Sequence, residues 1–373
     1  SRSQRNMATK ILLINWRDIR NPEAGGAEVY YHEIFRRLAA SGHYAVTVLS
    51  HGFKGAPRSE TVDGLRVIRT GSRLLFNFAV VPWVRKRQAE YDLIIEDLNK
   101  VPFFTPLYTS RPRLHLAMHF FGRTIFREIS FPMASYIFFM ERLIPLAYRS
   151  ERFVAISPST REEIRAFRTT EQDIAVVEPG IDLETTRSTT SKSAFPTMVY
   201  FGRIKKYKNI DFILHCLRDI RNEVPDTRLE IAGGGEYTGV LRRLAVRLGV
   251  QESVVFHGFV SEEVKLELLG RAHLVVNPSV KEGWGITNIE ANRCGTATLC
   301  SNVAGLRDSV CDGETGLLFE PGSRKDFVSK AVRILTDREY RRRLEKQAFA
   351  FAGEFGWDGI ARKMEAAIRR ALP

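Results

Sequence analysis

The sequence lacks the short motifs that mark several common enzyme classes. It has no Walker A sequence, no G-x-S-x-G nucleophile elbow, no H-E-x-x-H zinc motif and no C-x-x-C pair. These absences argue against P-loop, α/β-hydrolase, zincin and thioredoxin-like chemistry. The first predicted strand is also not followed by G-x-G-x-x-G, which argues against a nicotinamide-dependent dehydrogenase.

Cysteine is scarce, with four residues in 373, and none has the spacing of a metal or redox pair. We therefore expect reduced core thiols rather than disulfides or a metal site. No run of 18 apolar residues occurs, because prolines and charges interrupt the most apolar stretch, 131–148, so a membrane-spanning helix is not expected. The opening SRSQRN has no apolar segment of the kind a signal peptide needs, which predicts a cytoplasmic protein.

The net charge is strongly positive, at +13. Basic residues concentrate in 111–127, in 142–168 and near the C-terminus, and phenylalanines lie among the first two groups. One interpretation is a protein that lies peripherally on an anionic membrane surface, at the inner face of the cell membrane. The other is a solvated basic face above an aromatic stripe that faces the core. No nucleic-acid-binding module occurs, so nucleic acid is not an expected partner.

Short apolar segments alternate with helix-like segments in two successive series. The predicted strands are 10–15, 45–52, 65–70, 91–98, 114–120 and 152–157 in the first series, and 197–203, 227–235, 253–260, 272–279 and 296–302 in the second. This alternation predicts an α/β protein with two Rossmann-like, doubly wound parallel sheets. A chain of 373 residues is long enough for two such cores.

The polar stretch 185–195 is interpreted as the linker between the two domains. We predict an N-terminal domain over 8–187 and a second domain over 195–353. A C-terminal helix over 354–373 is predicted to pack back on the first domain. Ligands bind at the carboxyl ends of parallel strands, so we expect the site in a cleft between the domains.

Glycine-rich turns follow several predicted strands. Gly25 and Gly26, in NPEAGGAE, lie between the first strand and the first helix, where a ligand phosphate can approach the backbone closely. Gly233 and Gly234, in IAGGGE, are predicted to admit a nucleotide in the same way. HGFV ends the next strand, and the backbone of Val260 is a candidate for reading a base edge. A plain strand-to-helix turn is the alternative for each.

In the run KEGWGITNIE, Glu282 is expected at the mouth of a loop that enters a helix, and Glu290 about two turns further in. Free N–H groups and the helix dipole attract an anion to such a helix start. The geometry suits carboxylates that contact the hydroxyls of a sugar and of a ribose, with a diphosphate between them. Arg203 and Lys208, in FGRIKKYKN, are candidates for that diphosphate, since they would offset the charge of a departing group. A surface charge run is their alternative.

One histidine is a candidate for direct chemistry. His119 ends the segment LHLAMHF, where it could contact a sugar hydroxyl or stabilise a charged transition state, although a structural role is the alternative. His115 does not form a convincing metal pair with it, and His257 is interpreted as structural. Because no clear D-x-D motif occurs, we expect no metal and no other cofactor.

In their order and spacing, these segments resemble the retaining glycosyltransferases of family 4, which have the GT-B fold. The resemblance extends over almost the whole chain and includes EPGID at 178–182 and ETGLLFEPG at 314–322. It implies an N-terminal domain that binds the acceptor and a C-terminal domain that binds a nucleotide sugar. Glu178 departs from the family, which often has asparagine there, at a position interpreted as structural.

The resemblance also implies a role for each candidate residue. Glu282 corresponds to the glutamate that holds the donor sugar, and Glu290 to the one that holds the ribose. Arg203 and Lys208 correspond to the pair on the diphosphate, and His119 to a histidine near the donor sugar. The other donor contacts are expected from Gly25, Gly26, Gly233, Gly234, Val260, Gly283, Trp284, Gly285 and Ile286.

The implied reaction is metal-independent front-face transfer from a UDP- or GDP-sugar to a glycan, lipid-linked or small-molecule acceptor. The leaving diphosphate would take the acceptor proton, so the glutamates position the donor rather than act as bases. The basic, aromatic N-terminal half suggests surface-polysaccharide synthesis. Two alternatives stay open: a GT-B sugar-nucleotide 2-epimerase, and an inactive protein that binds nucleotide sugars or membranes.

Overall fold

The chain forms two compact units. The computed structural model describes residues 8–98, 101–118, 120, 125–126, 131–167 and 174–373. The first unit comprises Ser1–Pro179 and Trp357–Pro373, and the second comprises Gly180–Gly356. Each unit is organised around its own sheet.

An eight-stranded sheet forms the centre of the first unit. In chain order the elements are β1 (Thr9–Ile14), α1 (Gly26–Ala40), β2 (Tyr44–Ser50), β3 (Ser59–Val62), β4 (Leu65–Arg69), α2 (Phe76–Arg87), β5 (Leu93–Leu98), β6 (Arg113–Ala117), α3 (Phe131–Ala147), β7 (Phe153–Ala155), α4 (Pro158–Arg165) and β8 (Ala175–Val176). The strand order is β3-β4-β2-β1-β5-β6-β7-β8. The neighbouring strands are parallel, apart from the antiparallel pair β3 and β4.

The apolar run of β1 explains its central place in this sheet. Residues 11–14 are at most 1% exposed, so both faces of the strand are covered. Parallel strands with helices on both faces need such continuous apolar sequences. The central position of β1 therefore follows from the apolar segment that was predicted to be a strand.

A short hairpin at the sheet edge was not predicted. β3 returns on β4 through Asp63 and Gly64, whose φ angles are +48° and +83°. An Asp-Gly pair with positive φ angles is typical of a tight two-residue hairpin turn. The signal was present in the sequence, at TVDGLRV, but β3 is mostly polar and exposed and lacks an apolar pattern.

A six-stranded parallel sheet forms the centre of the second unit. In chain order the elements are β9 (Thr197–Phe201), α5 (Ile210–Glu223), β10 (Arg228–Ala232), α6 (Thr238–Leu248), β11 (Val254–Gly258), α7 (Glu262–Arg271), β12 (Leu274–Asn277), α8 (Ile286–Arg293), β13 (Thr298–Ser301), β14 (Gly316–Phe319), α9 (Arg324–Thr336) and α10 (Arg338–Ala352). The strand order is β11-β10-β9-β12-β13-β14. The predicted fold class, two doubly wound parallel sheets with helices, is confirmed.

The last helix, α11 (Trp357–Ala371), belongs to the first unit. Its buried apolar side chains recur mainly at every third or fourth position, and the helix packs against α1. Lys363 on α11 pairs with Glu178 at 2.8 Å, and Asp358 pairs with Arg37 of α1 at 2.7 Å. Glu178 thus helps to fasten α11 to the unit in which both residues lie.

The stretch 185–195 is part of the second unit and not a linker between domains. Its Lys192 ammonium donates to the carbonyl oxygens of Ala272 and Gly295, at 2.7 and 3.0 Å. The Ser193 N–H donates to the Arg271 carbonyl. The chain passes between units at 179/180 and again at 356/357, rather than within 187–195 and at 353/354 as the predicted boundaries placed it. Polar composition was misleading because these polar groups bond to the unit's backbone.

The four cysteines are free, and all lie in the second unit. Cys216, Cys294 and Cys300 are buried, whereas Cys311 is half-buried. Burial raises the pKa of each of the three buried thiols to about 12. The expectation of reduced thiols in the core agrees with this arrangement.

No helix in the described ranges is long and apolar enough to cross a membrane. α3 nevertheless has apolar residues on its outer face as well as its inner one. Its inner face buries Ala134, Ile137 and Ile144. On the outer face Phe131 and Leu146 are each 74% exposed, and Phe139 is 58% exposed.

Candidate functional site

In the second unit, the carboxyl ends of β9, β10 and β11 are joined by backbone hydrogen bonds. The Gly202 N–H donates to the Ala232 carbonyl at 3.0 Å, and the Ile204 N–H donates to the Gly234 carbonyl at 2.9 Å. These bonds extend the ladder beyond the strands and hold the turns after β9 and β10 against each other. The strand ends therefore form a fixed base for the loops that follow.

Gly233 has no room for a side chain. Its φ is +123°, and a Cβ there would lie 1.9 Å from the Gly202 carbonyl oxygen. The Gly233 N–H donates to the Gly258 carbonyl at 2.7 Å, so it is already engaged within the sheet. A Cβ at Gly234 would meet the ring of Phe259 at 2.3 Å. Packing alone thus explains why glycine occupies the two positions that were predicted to admit a nucleotide. Their contact with a donor stays a prediction.

The loop after β9 is tied to the loop after β12. Asn209 adopts a left-handed conformation with φ +57°, and its side-chain amide donates to the Pro278 carbonyl at 3.3 Å. The Val280 N–H donates to the Tyr207 carbonyl at 3.2 Å. These contacts bring together two segments that are some seventy residues apart in sequence, 202–209 and 278–285.

Lys208 and Glu282 form an ion pair where these two loops meet. The Ser279 hydroxyl donates to the same carboxylate oxygen, Oε1, at 3.0 Å. The Lys208 and Glu282 side chains are 11% and 19% exposed, so both retain some access to solvent. The structure therefore places two of the predicted site residues in direct contact.

Arg203 lies on the same loop, with its side chain exposed. Its guanidinium is 3.5 Å from the Tyr207 hydroxyl, and its carbonyl accepts a hydrogen bond from Tyr200 at 3.0 Å. The backbone of Arg203 is thus held, while its guanidinium lies at the surface beside Tyr207. An exposed guanidinium on a loop with an anchored backbone suits a contact with an anion.

The loop after Glu282 leads directly into α8. Gly285 has φ +83° and is the residue that precedes the first helical position, Ile286. Gly305 packs against this loop, since a Cβ there would lie 2.1 Å from the Glu282 carbonyl oxygen. Trp284 is buried and packs on Phe355 with ring centroids 5.3 Å apart. Packing therefore fixes the conformation of the loop around Gly283. The loop leads to the start of α8, which is the electropositive end of that helix.

Glu290 lies on α8, one turn after its start, and is paired with a lysine that the sequence analysis did not identify. The Lys265 ammonium, on α7, is 2.8 Å from Glu290 Oε1 and 2.7 Å from Glu262 Oε1. Lysines are seldom buried unless they are paired, and this one is buried. No sequence signal distinguishes it, since a lysine on a helix with several glutamates normally faces water.

The two charges alter each other's ionisation. Burial raises the pKa of Glu290, and the Lys265 ammonium opposes that rise. Burial also acts to lower the pKa of Lys265, but Glu290 and Glu262 outweigh it, so that pKa lies above its ordinary value. Each partner therefore favours the charged form of the other at the predicted ribose site.

His257 lies on β11, and Val260 follows that strand. His257 Nε2 is 2.6 Å from Glu230 Oε2, which also accepts from Arg271 at 2.5 Å. These contacts agree with the interpretation of His257 as a structural residue. Val260 is half-buried and packs in the apolar cluster that includes Phe201. Its backbone contact with a base stays a prediction.

The remaining candidates belong to the first unit. The Gly25 N–H donates to the Glu28 carboxylate at 2.7 Å, so this amide is already occupied at the start of α1. A Cβ at Gly26 would meet no atom within 4 Å, so Gly26 lies at an open surface. His119, a predicted active-site residue, lies outside the described residues.

Two groups of charges are buried beneath the surface of the first unit. Arg69 pairs with Asp18 at 2.8 Å, and both side chains are 2% exposed. Burial acts to raise the pKa of Asp18, but hydrogen bonds from Arg69 and Ser50 outweigh it and the pKa lies below its ordinary value. His115 is held between Glu96 and Glu151, at 3.4 and 3.0 Å.

The contacts of Glu96 explain why the second group is buried. Its carboxylate accepts hydrogen bonds from the backbone N–H of Phe103 at 2.7 Å and from the Tyr148 hydroxyl at 2.6 Å. These bonds fix the loop after β5 and the end of α3 around one carboxylate. The contacts of this group therefore indicate a structural function.

Family models match the chain in two consecutive segments. The model described as Glycosyltransferase Family 4 matches residues 24–185. The model described as Glycosyl transferases group 1 matches residues 183–351, which include every candidate residue of the second unit. Together the two segments span most of the chain.

Individual proteins extend this similarity to nearly full length. A D-inositol 3-phosphate glycosyltransferase from Streptomyces bingchenggensis is 26% identical over 382 residues, covering 91% of this chain and 83% of that protein. The structure of a sucrose-phosphate synthase from Thermosynechococcus elongatus superposes with a TM-score of 0.77 at 20% identity, covering 97% and 98% of the two chains. Anabaena Alr3699/HepE in complex with UDP-glucose superposes with a TM-score of 0.76 at 18% identity, covering 97% and 99%.

Proposed function

Since this chain belongs to the group 1 glycosyltransferases, with the GT-B fold, we propose that it transfers a sugar with retention of configuration from a nucleoside diphosphate sugar. The proposed acceptor is a hydroxyl of a glycan, a lipid-linked saccharide or a small molecule. The main support is the meeting of Lys208 with Glu282 at the carboxyl edge of the second sheet, beside Arg203.

In this proposal the donor lies along that edge. Arg203 and Lys208 bind the diphosphate, while Glu282 accepts hydrogen bonds from hydroxyls of the sugar. Glu290 accepts hydrogen bonds from the ribose. The Lys208–Glu282 contact keeps both groups in place before the donor arrives, and partial solvent access lets the ammonium turn toward phosphate.

The proposed reaction needs little covalent chemistry from the protein. The bond between the anomeric carbon and the diphosphate oxygen breaks, and a bond to the acceptor oxygen forms on the same face of the sugar. The acceptor proton passes to a diphosphate oxygen. Arg203 and Lys208 stabilise the charge that develops on the leaving diphosphate, so we propose that no metal ion is required.

The donor is proposed to be a UDP- or GDP-sugar. One solved neighbour binds UDP-glucose, which makes UDP the first nucleotide to examine. The predicted base contacts are backbone groups around Val260, and backbone groups alone do not distinguish uracil from guanine. Roles for His119 and Gly26 are proposed from the sequence resemblance alone.

Donor use is tested with a panel of UDP- and GDP-sugars. Thermal shift identifies the donor that stabilises the protein, and an assay of slow hydrolysis or transfer follows its consumption. Glu282→Ala is expected to reduce transfer by about a thousandfold or more, because the sugar loses its positioning contact. Binding of the free nucleoside diphosphate should persist or tighten, since Lys208 is released from its carboxylate.

Asp219→Ala is the matched control for this experiment. Asp219 forms an exposed ion pair with Arg324 in the same unit, away from the loops of the site. It should transfer sugar as the wild type does. Loss of nucleotide binding together with transfer in Glu282→Ala would show that the glutamate supports the loop instead. If no nucleotide sugar stabilises the wild type, the donor proposal is wrong.

Product analysis separates transfer from the alternatives. Proton NMR of the glycoside should give the same anomeric configuration as the donor, and an inverted product would overturn retention. A 2-epimerase would instead convert the nucleotide sugar into its epimer without any acceptor. A protein that only binds nucleotide sugars would produce neither.

We also propose that the first unit lies on an anionic membrane surface through α3. Support comes from the exposed Phe131, Phe139 and Leu146 and from the net charge of +13. Arg142 lies over the ring of Phe138, 4.7 Å from its centroid, so a cation accompanies the aromatic face. Exposed aromatic side chains beside arginine suit the headgroup region of such a surface.

Vesicle flotation tests this second proposal. The protein should float with vesicles of phosphatidylglycerol and phosphatidylcholine but not with phosphatidylcholine alone. Phe139→Ser with Leu146→Ser should abolish flotation. Leu107→Ser removes an equally exposed apolar side chain elsewhere in the first unit and should leave flotation unchanged. Equal flotation of all variants, or none by the wild type, would assign the exposed residues of α3 another role.

A further inference from the structure

We propose that Lys265 is a positioning residue that orients the Glu290 carboxylate for the ribose hydroxyls, so that the donor must contain ribose rather than deoxyribose. The inference rests on the proposed function, because it takes Glu290 as the contact for the ribose. Lys265 itself does not touch the donor in this proposal. It acts through the carboxylate that it holds.

Lys265 is fixed from several sides. Its side chain is 9% exposed, and its ammonium lies between Glu290 of α8 and Glu262 of its own helix. The ring centroid of Phe201, at the end of β9, is 5.5 Å from the ammonium. An ammonium in such surroundings is stable only while its charge is compensated. Separation of the Lys265 ammonium from Glu290 would therefore be strongly unfavourable in free energy.

The same contact fixes Glu290. The ammonium occupies Oε1 at 2.8 Å, which sets the rotation of the carboxylate and leaves Oε2 for other donors. Two adjacent ribose hydroxyls are suited to a single ionised carboxylate, because each provides one O–H. A carboxylate whose orientation is set in advance loses less entropy when the ribose binds.

Ionisation of Glu290 also depends on this lysine. Burial raises the pKa of Glu290, while Lys265 opposes the rise and Glu262 adds to it. Cys294 also faces Glu290 and is a neutral thiol, since burial raises its pKa to about 12. Without the ammonium, Glu290 would bind a proton more readily as pH falls and would lose part of its capacity to accept hydrogen bonds.

A paired, ionised acceptor provides a basis for selectivity. When a ligand lacks the hydroxyls, a buried carboxylate loses its water without gaining hydrogen bonds in return. Sites built to bond a hydroxyl therefore reject analogues that lack it far more strongly than apolar pockets do. The lysine favours the ionised form of Glu290 and so makes it such an acceptor.

The experiment compares ribonucleotides with their dideoxy analogues in the full chain. Calorimetry measures the affinity for UDP and GDP and for 2′,3′-dideoxy-UDP and 2′,3′-dideoxy-GDP between pH 6 and 8.5. The variants are Lys265→Met, Lys265→Arg, Glu290→Gln and the double variant Lys265→Met/Glu290→Gln. Lys330→Met is the matched control, because Lys330 also pairs with a carboxylate, Asp326 at 2.9 Å, but on α9.

Lys265→Met should weaken the better-binding ribonucleotide by about tenfold at pH 6.5, with little change for the dideoxy form. The loss should shrink as pH rises, because Glu290 becomes ionised again, whereas wild-type affinity changes less. Lys265→Arg should restore most of the affinity. The double variant should bind no more weakly than Glu290→Gln alone, and Lys330→Met should match the wild type.

Several results would overturn the inference. Equal losses for ribose and dideoxy forms would mean that Lys265 supports only the fold, and unchanged affinity would mean that it is not needed. Wild-type protein that binds ribose and dideoxy forms equally would remove Glu290 from the ribose while leaving nucleotide binding intact. Wild-type protein that binds neither UDP nor GDP would instead overturn the proposed function itself. Circular dichroism and thermal unfolding of each variant identify any that fail to fold.

Discussion

The two units are built on similar parallel sheets but place their ion pairs in different positions. In the first unit the Asp18–Arg69 pair lies below the surface, and both side chains are 2% exposed. In the second unit the Lys208–Glu282 pair lies on the loops at the strand ends and retains contact with solvent. A pair without solvent access can only hold the fold together. A pair at a loop edge can exchange one partner for a ligand.

The glycines near the candidate site residues also differ between the units. In the second unit Gly233 and Gly305 allow loops to approach each other at distances that no side chain permits. The Gly26 turn of the first unit has open space around it. The second unit thus has a site edge whose backbone is already fixed, and its charged side chains are the movable part.

Removal of one partner from the buried pair should have the largest effect on stability. Asp18→Ala leaves the Arg69 guanidinium buried with only Glu60, at 2.6 Å, as an acidic partner. We expect a loss of about 3–5 kcal/mol in the free energy of unfolding of the first unit. Urea unfolding followed by hydrogen exchange of peptides from each unit measures it.

The second unit should retain its exchange protection in Asp18→Ala. Asp219→Ala, which breaks an exposed pair, is the control and should leave both units unchanged. A loss below about 1 kcal/mol in Asp18→Ala would contradict the assignment of this pair to the fold.

The His115 group should make the first unit sensitive to acid. Burial acts to raise the pKa of Glu151, but His115 and Arg113 lower it to about 2. A lowered carboxyl pKa stabilises the fold above the unfolded value of about 4.5, and that contribution is lost as pH falls toward 2. His115 has a raised pKa, because Glu151 and Glu96 outweigh burial, so its contribution is present at low pH and declines as pH rises through that pKa.

Glu151→Gln tests this acid sensitivity. The stability difference between wild type and variant should fall by roughly 2–3 kcal/mol between pH 5 and pH 2.5. Urea unfolding at a series of pH values measures the difference. Glu96 and Arg113 also face this group. The decisive quantity is therefore the slope of the stability difference against pH, rather than its value at one pH. If the unfolding free energies of wild type and variant change with pH in parallel, these contacts do not lower the pKa of Glu151.

The exchangeable pair should show the smallest effect on stability. Lys208→Met leaves Glu282 with the Ser279 hydroxyl and with solvent, so we expect a loss of about 1 kcal/mol or less in the second unit. Sugar transfer should fall far more than stability does, because the diphosphate loses a cation. Lys330→Met is the control for unfolding and for transfer. If Lys208→Met destabilises the unit as much as Asp18→Ala does, the contrast between the two units does not hold.

The sequence was sufficient for the architecture because each central strand has a continuous apolar run and each intervening helix has a regular apolar spacing. Where a segment lacked such a pattern, the prediction was incomplete or wrong. The exposed strand β3 was missed, and the polar stretch 185–195 was taken for a linker although Lys192 bonds to backbone carbonyls. Polarity alone does not tell whether a group bonds to water or to the protein.

The site illustrates a second limit. Arg203, Lys208 and Glu282 could be selected from their places after strands, and Glu290 from its place in the helix that follows. Contact between Lys208 and Glu282 depends on how the loops after β9 and β12 meet, and nothing local to either loop specifies it. Lys265 is a stronger case, because its burial results from the packing of α7 against α8. A lysine's sequence neighbours do not reveal whether its ammonium reaches solvent.

The distribution of cysteines offers a practical route to observing the two units separately. The four thiols lie in the second unit, and the three buried ones stay protonated and slow to react with maleimides, since thiolate is the reactive form. Replacement of Cys311 would leave a background with little reactivity. A single cysteine placed on the exposed surface of the first unit would then accept one fluorophore at a known position. Such a labelled protein would report lipid binding by the first unit through its fluorescence.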